Sequence, residues 1–329
     1  FVDRPPFSIR DGGLSEVAIL STILSENENL ASYDVVKNRV LHVSNSIRIG
    51  GAERQVLFST KAPIVESQLA LYNISRNNKE NSFITELEKS GIIVHDYSLE
   101  PSSNLHTFCS SLLSLIPDGP GLNPWMAVQI KSLIDIFSKE RPEIVHLWQD
   151  GTNIIGGIAA ILSGVPRIFL SARSTPPFSL KNSPFPDKGA SYYLHNRYSR
   201  KMYQYLLDFE NVQIIFNSKV CADFYFDWLG LDPDFDRFRV IPNAVMTEAG
   251  AKERPFTKNN NKVVGGVFRL KEVKQPILWL QIAEYVIDNS PENVQFVILG
   301  DGPLWEKCNQ WIEDSGLSDK ITMVGFTDS

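Results

Sequence analysis

Two short stretches hold residues whose types and spacing suit phosphate chemistry. In RVLHVSNSIRIGGAERQVLFST, Arg39 to Thr60, an apolar run breaks at Gly50 and Gly51 and resumes with helical spacing. A glycine turn between a strand and a helix leaves unpaired N–H groups and a partial positive charge facing an anion. In GGVFRLKEVKQP, Arg269 and Lys274 stand five positions apart, just after a second strand and before a helix. Two cations at the carboxyl end of a parallel strand converge on a diphosphate. Each feature has a plainer explanation: paired glycines also permit tight strand–helix packing, and most surface cations are simply solvated.

These loops need a scaffold, and the pattern of the chain supplies one. RVLHVSN, SQLALYNIS, IIVHDYS, EIVHLW, RIFLSA, VQIIFNS and FRVIPNAV read as strands. Between them lie AERQVLFSTKAP, SFITELEKSG, NPWMAVQIKSLIDIFSKERP, NIIGGIAAILSGVP, YYLHNRYSRKMYQYLL and Lys219 to Leu229, all with helical spacing or helix stops. Strands alternating with helical crossovers imply a doubly wound, mostly parallel α/β sheet. A polar connector, residues 246–262, ends this first Rossmann-like domain at residues 37–245. A second β-α-β unit follows over residues 263–329 through VVGGVFRL, PILWLQIAEYVID, VQFVILGDGP, WEKCNQWIEDSG and ITMVGF. Its three strands are few for a closed α/β domain, so the second domain is expected to be incomplete in this chain. Residues 1–36 read as an extension with a helix over Leu14 to Leu30, and the initial Phe1 suggests a trimmed or internal segment.

Composition narrows the function. The 329 residues are 43% hydrophobic and 21% charged, ordinary for globular domains with sizeable cores. A formal net charge of −6 argues against general nucleic-acid binding. Cys109, Cys221 and Cys308 follow no metal or disulfide spacing and suit a reducing, cytoplasmic setting. No apolar run reaches the ~18 residues of a membrane span. A nicotinamide site should show G-x-G-x-x-G and an acidic residue ending the second strand, whereas here the glycines are adjacent and that strand ends at Tyr72-Asn73-Ile74-Ser75. No Gly-Lys-Ser/Thr of a P-loop occurs.

The ordered set GGAER, RPEIVHLW, IIFNS, RVIPNAV, FRLKEVK and VILGDGP with DKITMVGF resembles the retaining nucleotide-sugar glycosyltransferases of family 4. It runs from about Arg39 to Phe326. That resemblance implies a GT-B fold, two Rossmann-like domains facing across a cleft. It implies transfer of a sugar from a nucleoside diphosphate to a glycan or lipid-linked acceptor, in polysaccharide or glycoconjugate assembly. No metal or other cofactor is expected. Two alternatives stand beside this reading: a non-catalytic nucleotide-sugar-binding or assembly protein on the same fold, and an NAD(P)-dependent oxidoreductase.

The resemblance also implies roles for single residues. Gly50 and Gly51 would offer N–H groups near the sugar-diphosphate, and Arg269 and Lys274 would hold the diphosphate and stabilise the departing nucleotide. Gly325 and Phe326 would border the base, although core packing is the simpler fate of a lone Phe. His146 and Trp148 close the strand EIVHLW, where relatives often carry a sugar-contacting histidine. The imidazole suits a satisfied core position, and the indole offers a face on which a sugar can stack. Arg173 and Ser174 end the next strand and would meet acceptor hydroxyls or phosphate. Asn243 matches the family's Pro-Asn-Gly turn, with Ala244 in place of glycine. The family's downstream Glu-x7-Glu element has no counterpart here, so these residues alone are expected to bind donor poorly. Finally, the basic and aromatic helix Leu194 to Leu207 suits peripheral contact with the inner face of a membrane, or simply a solvated surface.

Overall fold

A computed structural model describes residues 36–62, 65–72, 82–96, 124–176, 190–245 and 261–326. The expected helix at Leu14 to Leu30, Cys109 and most of the expected connector lie outside these residues. Two units emerge, Phe1–Met246 and Thr247–Ser329.

Unit 1 is built on seven strands in the order β3-β2-β1-β4-β5-β6-β7. They are β1 (Val36–Ser44), β2 (Glu66–Leu71), β3 (Ile93–Asp96), β4 (Pro142–Trp148), β5 (Arg167–Ala172), β6 (Val212–Phe216) and β7 (Phe238–Val240). Every neighbouring pair is parallel. Central parallel strands are covered on both faces, which explains why Val40 to Ser44 of β1 are all buried. Helices α1 (Gly51–Thr60) and α2 (Ile84–Lys89) pack with Leu69, Leu71 and Trp148 on one side. Helices α3 (Pro124–Glu140), α4 (Asp150–Leu162), α5 (Ala190–Leu207) and α6 (Lys219–Leu229) build the larger core on the other, over Leu41, Val145, Leu170 and Ile214.

Local sequence explains these elements. Helix α3 has a proline in its first turn and an apolar stripe, Ala127, Ile130, Leu133, Ile134 and Phe137, at three- and four-residue spacing. It stops where Arg141 turns to φ 45° ahead of Pro142. Helix α4 is buried from Thr152 to Leu162, and small residues let it approach two neighbours. A Cβ at Gly156 would lie 2.5 Å from Leu147 of β4, and one at Gly157 would lie 2.9 Å from Leu206 of α5. Ser218 caps α6 by accepting from the Cys221 N–H, and Gly230 at φ 66° ends that helix. The Arg237 guanidinium donates to the carbonyls of Leu207, Phe209 and Val212, satisfying groups beyond the end of α5.

Unit 2 is a three-stranded parallel sheet in the order β10-β9-β8. Its strands are β8 (Asn261–Val267), β9 (Asn293–Leu299) and β10 (Ile321–Gly325), linked by α7 (Pro276–Asn289) and α8 (Trp305–Asp314). Strand β8 begins at Asn261, inside the stretch expected to be connector. Leu280, Ala283, Phe296, Ile298, Cys308, Ile312 and Ile321 form its core between sheet and helices.

Candidate functional site

In unit 1 the chain leaves β1 toward β2 and leaves β4 toward β5, in opposite directions. The carboxyl ends of these adjacent strands therefore define the switch point where open α/β sheets receive ligands. Gly50, Gly51, Trp148, Gln149, Arg173 and Ser174 all fall at or beside this edge.

Neither glycine of the first loop is demanded by backbone conformation or packing. Gly50 has φ −168°, ordinary extended backbone, and its carbonyl opens α1 by accepting from the Arg54 N–H at 3.0 Å. Gly51 is the first helical residue, and a Cβ there would meet nothing within 4 Å. Tight packing therefore does not explain this glycine. Glu53, in the first turn, lies against Gly50 and accepts a 3.4 Å bond from the Gln149 side chain. A carboxylate repels a bare anion but accepts hydroxyls, so the turn suits a polyol beside the phosphate expected there.

The turn after β4 holds a residue with no signature in the sequence. Gln149 has φ 74° and ψ 157°, a region essentially reserved for glycine. Three bonds hold it: its N–H donates to Ser171 O at 3.0 Å, its carbonyl accepts from the Asn153 N–H at 2.8 Å, and its side chain reaches Glu53. Asn153 in turn clamps both the N–H and the carbonyl of Ser171, each at 3.1 Å, and donates to the Tyr203 hydroxyl at 2.7 Å. Tyr203, at 2.6 Å, and Tyr225 donate to the Asp150 carboxylate at the start of α4. Burial raises the Asp150 pKa, opposed by these two hydroxyl donors, and burial likewise raises both tyrosines.

Under this edge lies a second group of side chains. His42, His146 and Trp148 stack on one face of β1 and β4, the His146 and Trp148 rings 4.3 Å apart. The Trp148 indole N–H donates to His42 Nδ1 at 3.3 Å, and His146 Nε2 pairs with Ser171 Oγ at 2.8 Å. Burial holds His42 neutral, with its pKa down to about 3. His146 is also held well below its usual value by burial, then by His42 and Arg173. His146 is half-buried, with its Nε2 paired to Ser171.

Trp148 requires a correction. It is 1% exposed, and the Arg173 guanidinium covers its ring at 4.2 Å, so no indole face is open to a sugar. Arg173 instead presents the polar surface. It donates to Asn243 Oδ1 at 3.3 Å and to Ser171 Oγ at 3.1 Å, and Asn217 holds its carbonyl at 3.1 Å. Burial lowers its pKa only to about 10, so it stays cationic. Ser174 is exposed, and its carbonyl accepts from the buried Cys221 thiol at 3.1 Å. Asn243, read from sequence as a turn residue, therefore also touches the site. The adjacent Ala244 is held by Gln55 of α1, whose side-chain amide bonds the Ala244 carbonyl at 2.8 Å and its N–H at 2.7 Å.

In unit 2 the expected basic pair lies at the carboxyl end of β8. Arg269 and Lys274 are both exposed, Lys274 closing a 3-10 turn at Glu272–Lys274 just before α7. Here the glycines are structural. A Cβ at Gly300, φ 141°, would overlap the Phe268 carbonyl oxygen, and one at Gly302 would lie 2.5 Å from Leu270 O. Their absence lets the turn after β9 lie on the Arg269 loop. Leu270 N–H donates to Asp301 O at 3.0 Å, and Leu304 N–H donates to Leu270 O at 3.1 Å. Gly325, φ 87°, accepts from the Gly300 N–H at 2.8 Å. Phe326 is 63% exposed among the described residues.

Among the described residues no cluster of metal-ligating side chains occurs, and no helix is long and apolar enough to cross a membrane. The helix considered for membrane contact is only partly described at side-chain level. Arg200, Lys201 and Tyr205 are exposed, whereas Tyr203 points inward to Asp150 and is unavailable to a lipid surface.

The family described as Glycosyltransferase Family 4 matches residues 82–249. Over 215 residues the chain is 27% identical to the Vi polysaccharide biosynthesis protein VipC/TviE of Salmonella typhi, covering 62% of this chain and 35% of that protein. Over 212 residues it is 29% identical to the UDP-Gal:alpha-D-GlcNAc-diphosphoundecaprenol alpha-1,3-galactosyltransferase of Escherichia coli, covering 60% of this chain and 51% of that one. The chain thus spans about a third and about half of these two curated relatives. Among solved structures, Anabaena HepE in complex with UDP-glucose aligns with a TM-score of 0.56 at 16% identity, over 88% of this chain and 69% of that one. A glycosyltransferase from Rickettsia africae aligns with a TM-score of 0.58 at 13% identity, over 89% and 69%. At such identities these likenesses concern the fold, which is GT-B with the second domain partly present.

Proposed function

Because the chain belongs to Glycosyltransferase Family 4, we propose that it serves transfer of a sugar from a nucleoside diphosphate to a glycan or lipid-linked acceptor in polysaccharide assembly. In this reading the bond between the sugar's anomeric carbon and the diphosphate oxygen breaks, and an acceptor hydroxyl oxygen takes its place and loses its proton. Negative charge builds on the departing oxygen. Preorganised cations stabilise that charge more than they stabilise the ground state, which is what accelerates the step.

The observation that carries the reading is the setting of Arg269 and Lys274. Both stand at the carboxyl end of β8, on a loop locked by the Gly300–Gly302 turn and next to the N-terminus of α7. Within unit 1, the Gly51 turn and Glu53 are suited to sugar hydroxyls. Gly325 and Phe326 are assigned to the base. The transfer is taken to proceed with retention and without a metal, on the cytoplasmic side, where exposed Arg200, Lys201 and Tyr205 offer peripheral membrane contact. A lipid-linked acceptor agrees with the diphosphoundecaprenol substrate named for the Escherichia coli relative.

The test is a thermal-shift panel with UDP, GDP, ADP and NAD. A ligand at 100 times its Kd stabilises by about 2.7 kcal/mol. One nucleoside diphosphate should stabilise the wild type and fail with Arg269→Ala and Lys274→Ala. Transfer or donor hydrolysis should fall ~10²–10³-fold in either variant, by analogy with loss of an oxyanion-stabilising donor. Wild-type rates in both variants would overturn the catalytic assignment of this pair, and nucleotide binding with no transfer or hydrolysis in the parent chain would point to a binding protein. Stabilisation by NAD alone would point to an oxidoreductase.

A further inference from the structure

Arg173 carries two demands that its neighbours leave unmet. It is a largely covered cation, yet its hydrogen-bond partners are neutral: Asn243 Oδ1, Ser171 Oγ and the Trp148 ring. Among the described residues no carboxylate lies within salt-bridge reach of it. Its Nε is enclosed and unpartnered. A covered charge without a counter-ion is costly, and an unsatisfied buried donor adds to that cost. The side chain is nonetheless held in one orientation, flat on the indole, at the carboxyl end of β5 beside the strained Gln149 turn. A guanidinium laid flat on a ring, its terminal nitrogens bonded only to neutral groups and one of these the exposed Asn243, is preorganised to recognise phosphate once that partner is displaced.

We infer that Arg173 is a phosphate-recognising residue of unit 1, reading a phosphate group on the acceptor, with Asn243 as the placeholder that the phosphate displaces. The inference rests on the glycosyl-transfer reading for the word acceptor, but the anion site stands on its own geometry. Arg173 belongs to unit 1, and the Arg269 and Lys274 pair belongs to unit 2. Phosphate on a lipid carrier and phosphate on a soluble sugar share this chemistry, and the choice of probe separates them.

The experiment uses the full chain carrying Arg269→Ala and Lys274→Ala, so that the nucleotide site is disabled. Calorimetric titration at fixed ionic strength measures inorganic pyrophosphate and geranyl diphosphate. We expect this double variant still to bind pyrophosphate, and Arg173→Gln added to it to weaken binding at least tenfold. Arg173→Lys should fall between the two, and Asn243→Ala should bind as well or better. Tighter binding of geranyl diphosphate than of pyrophosphate assigns the phosphate to a lipid carrier, and equal binding assigns it to a soluble acceptor. No pyrophosphate binding in the double variant, or binding that ignores Arg173→Gln, overturns the inference. Either result leaves the nucleotide panel on the parent chain to be judged separately. If Arg173→Gln does not fold, Arg173→Lys carries the comparison, since it keeps the charge and loses the paired geometry.

Discussion

Gln149 holds a conformation that ordinarily costs an L-residue ~1–3 kcal/mol. Its bonds to Ser171, Asn153 and Glu53 are what keep it there. Gln149→Gly should remove the strain at the expense of some unfolded-state entropy, leaving a gain of about 1 kcal/mol, or a few degrees in Tm. The same change deletes the bond to Glu53 and should lower donor affinity or turnover; a fall in Tm would show that the turn is unstrained. The buried imidazoles make a second prediction at this scale. Unfolded histidines take up protons near pH 6.5, whereas folded His42 resists until about 3 and His146 is shifted the same way. Between those limits the unfolded state binds more protons, so stability rises with pH, by up to about 1.4 kcal/mol per pH unit for His42, and His146 acts in the same direction. Denaturant melts from pH 4.5 to 6.5 should show stability rising with pH, and His42→Gln, which keeps the acceptor for Trp148, should make the rise shallower. His146, Arg173, Arg269 and Lys274 could be singled out from sequence because residues of these types near strand ends are candidates for chemistry. Gln149 was not, because nothing in glutamine's chemistry signals a positive φ.

The elements themselves were legible because each has a local cause. Apolar spacing drew α3, proline and Arg141 ended it, Ser218 and Gly230 bounded α6, and continuous apolar runs marked the buried strands. The alternation implies a parallel sheet but does not by itself select the order β3-β2-β1-β4-β5-β6-β7. What local pattern cannot show is a side chain acting across the fold. Gln55 reads as an ordinary residue of α1, yet it pairs with both backbone groups of Ala244, 189 residues away. Asn153 lies in an apolar helix and clamps β5 to α4 in the same manner. Asn153→Ala leaves the Ser171 N–H and carbonyl without these bonds in a buried site and should cost about 2–3 kcal/mol by denaturant melting. Gln55→Ala should cost about 1–2 kcal/mol, because Ala244 is exposed and water replaces part of the loss. If Gln55→Ala proved the more damaging, the connector root would be more enclosed than its exposure implies.

At the scale of the molecule, two units divide at Met246, and they differ in how far the described residues of this 329-residue chain cover their sheets. Parallel sheets are normally buried on both faces. In unit 2, Phe296, Ile298 and Ile321 face α7 and α8, while the opposite face shows Val263 at 61%, Val267 at 81% and Val324 at 52% exposure. The sequence could not distinguish these positions, since valines of covered and uncovered faces look alike in a strand. Apolar side chains left in water contribute nothing to folding and favour association. Replacing all three valines by threonine keeps β-branched strand residues while adding hydroxyls to the solvent face. The substitution should leave the melting of unit 2 within about 0.5 kcal/mol, as expected for exposed positions. It should also reduce self-association in sedimentation runs at rising protein concentration. A loss of several kcal/mol would instead mean that these valines are covered in solution. Gly300→Ala provides the contrast, since its Cβ collides with backbone at the root of the Arg269 loop. It should destabilise unit 2 by about 3 kcal/mol or more, with hydrogen exchange faster in β8 and β9 and unchanged in β1 and β4.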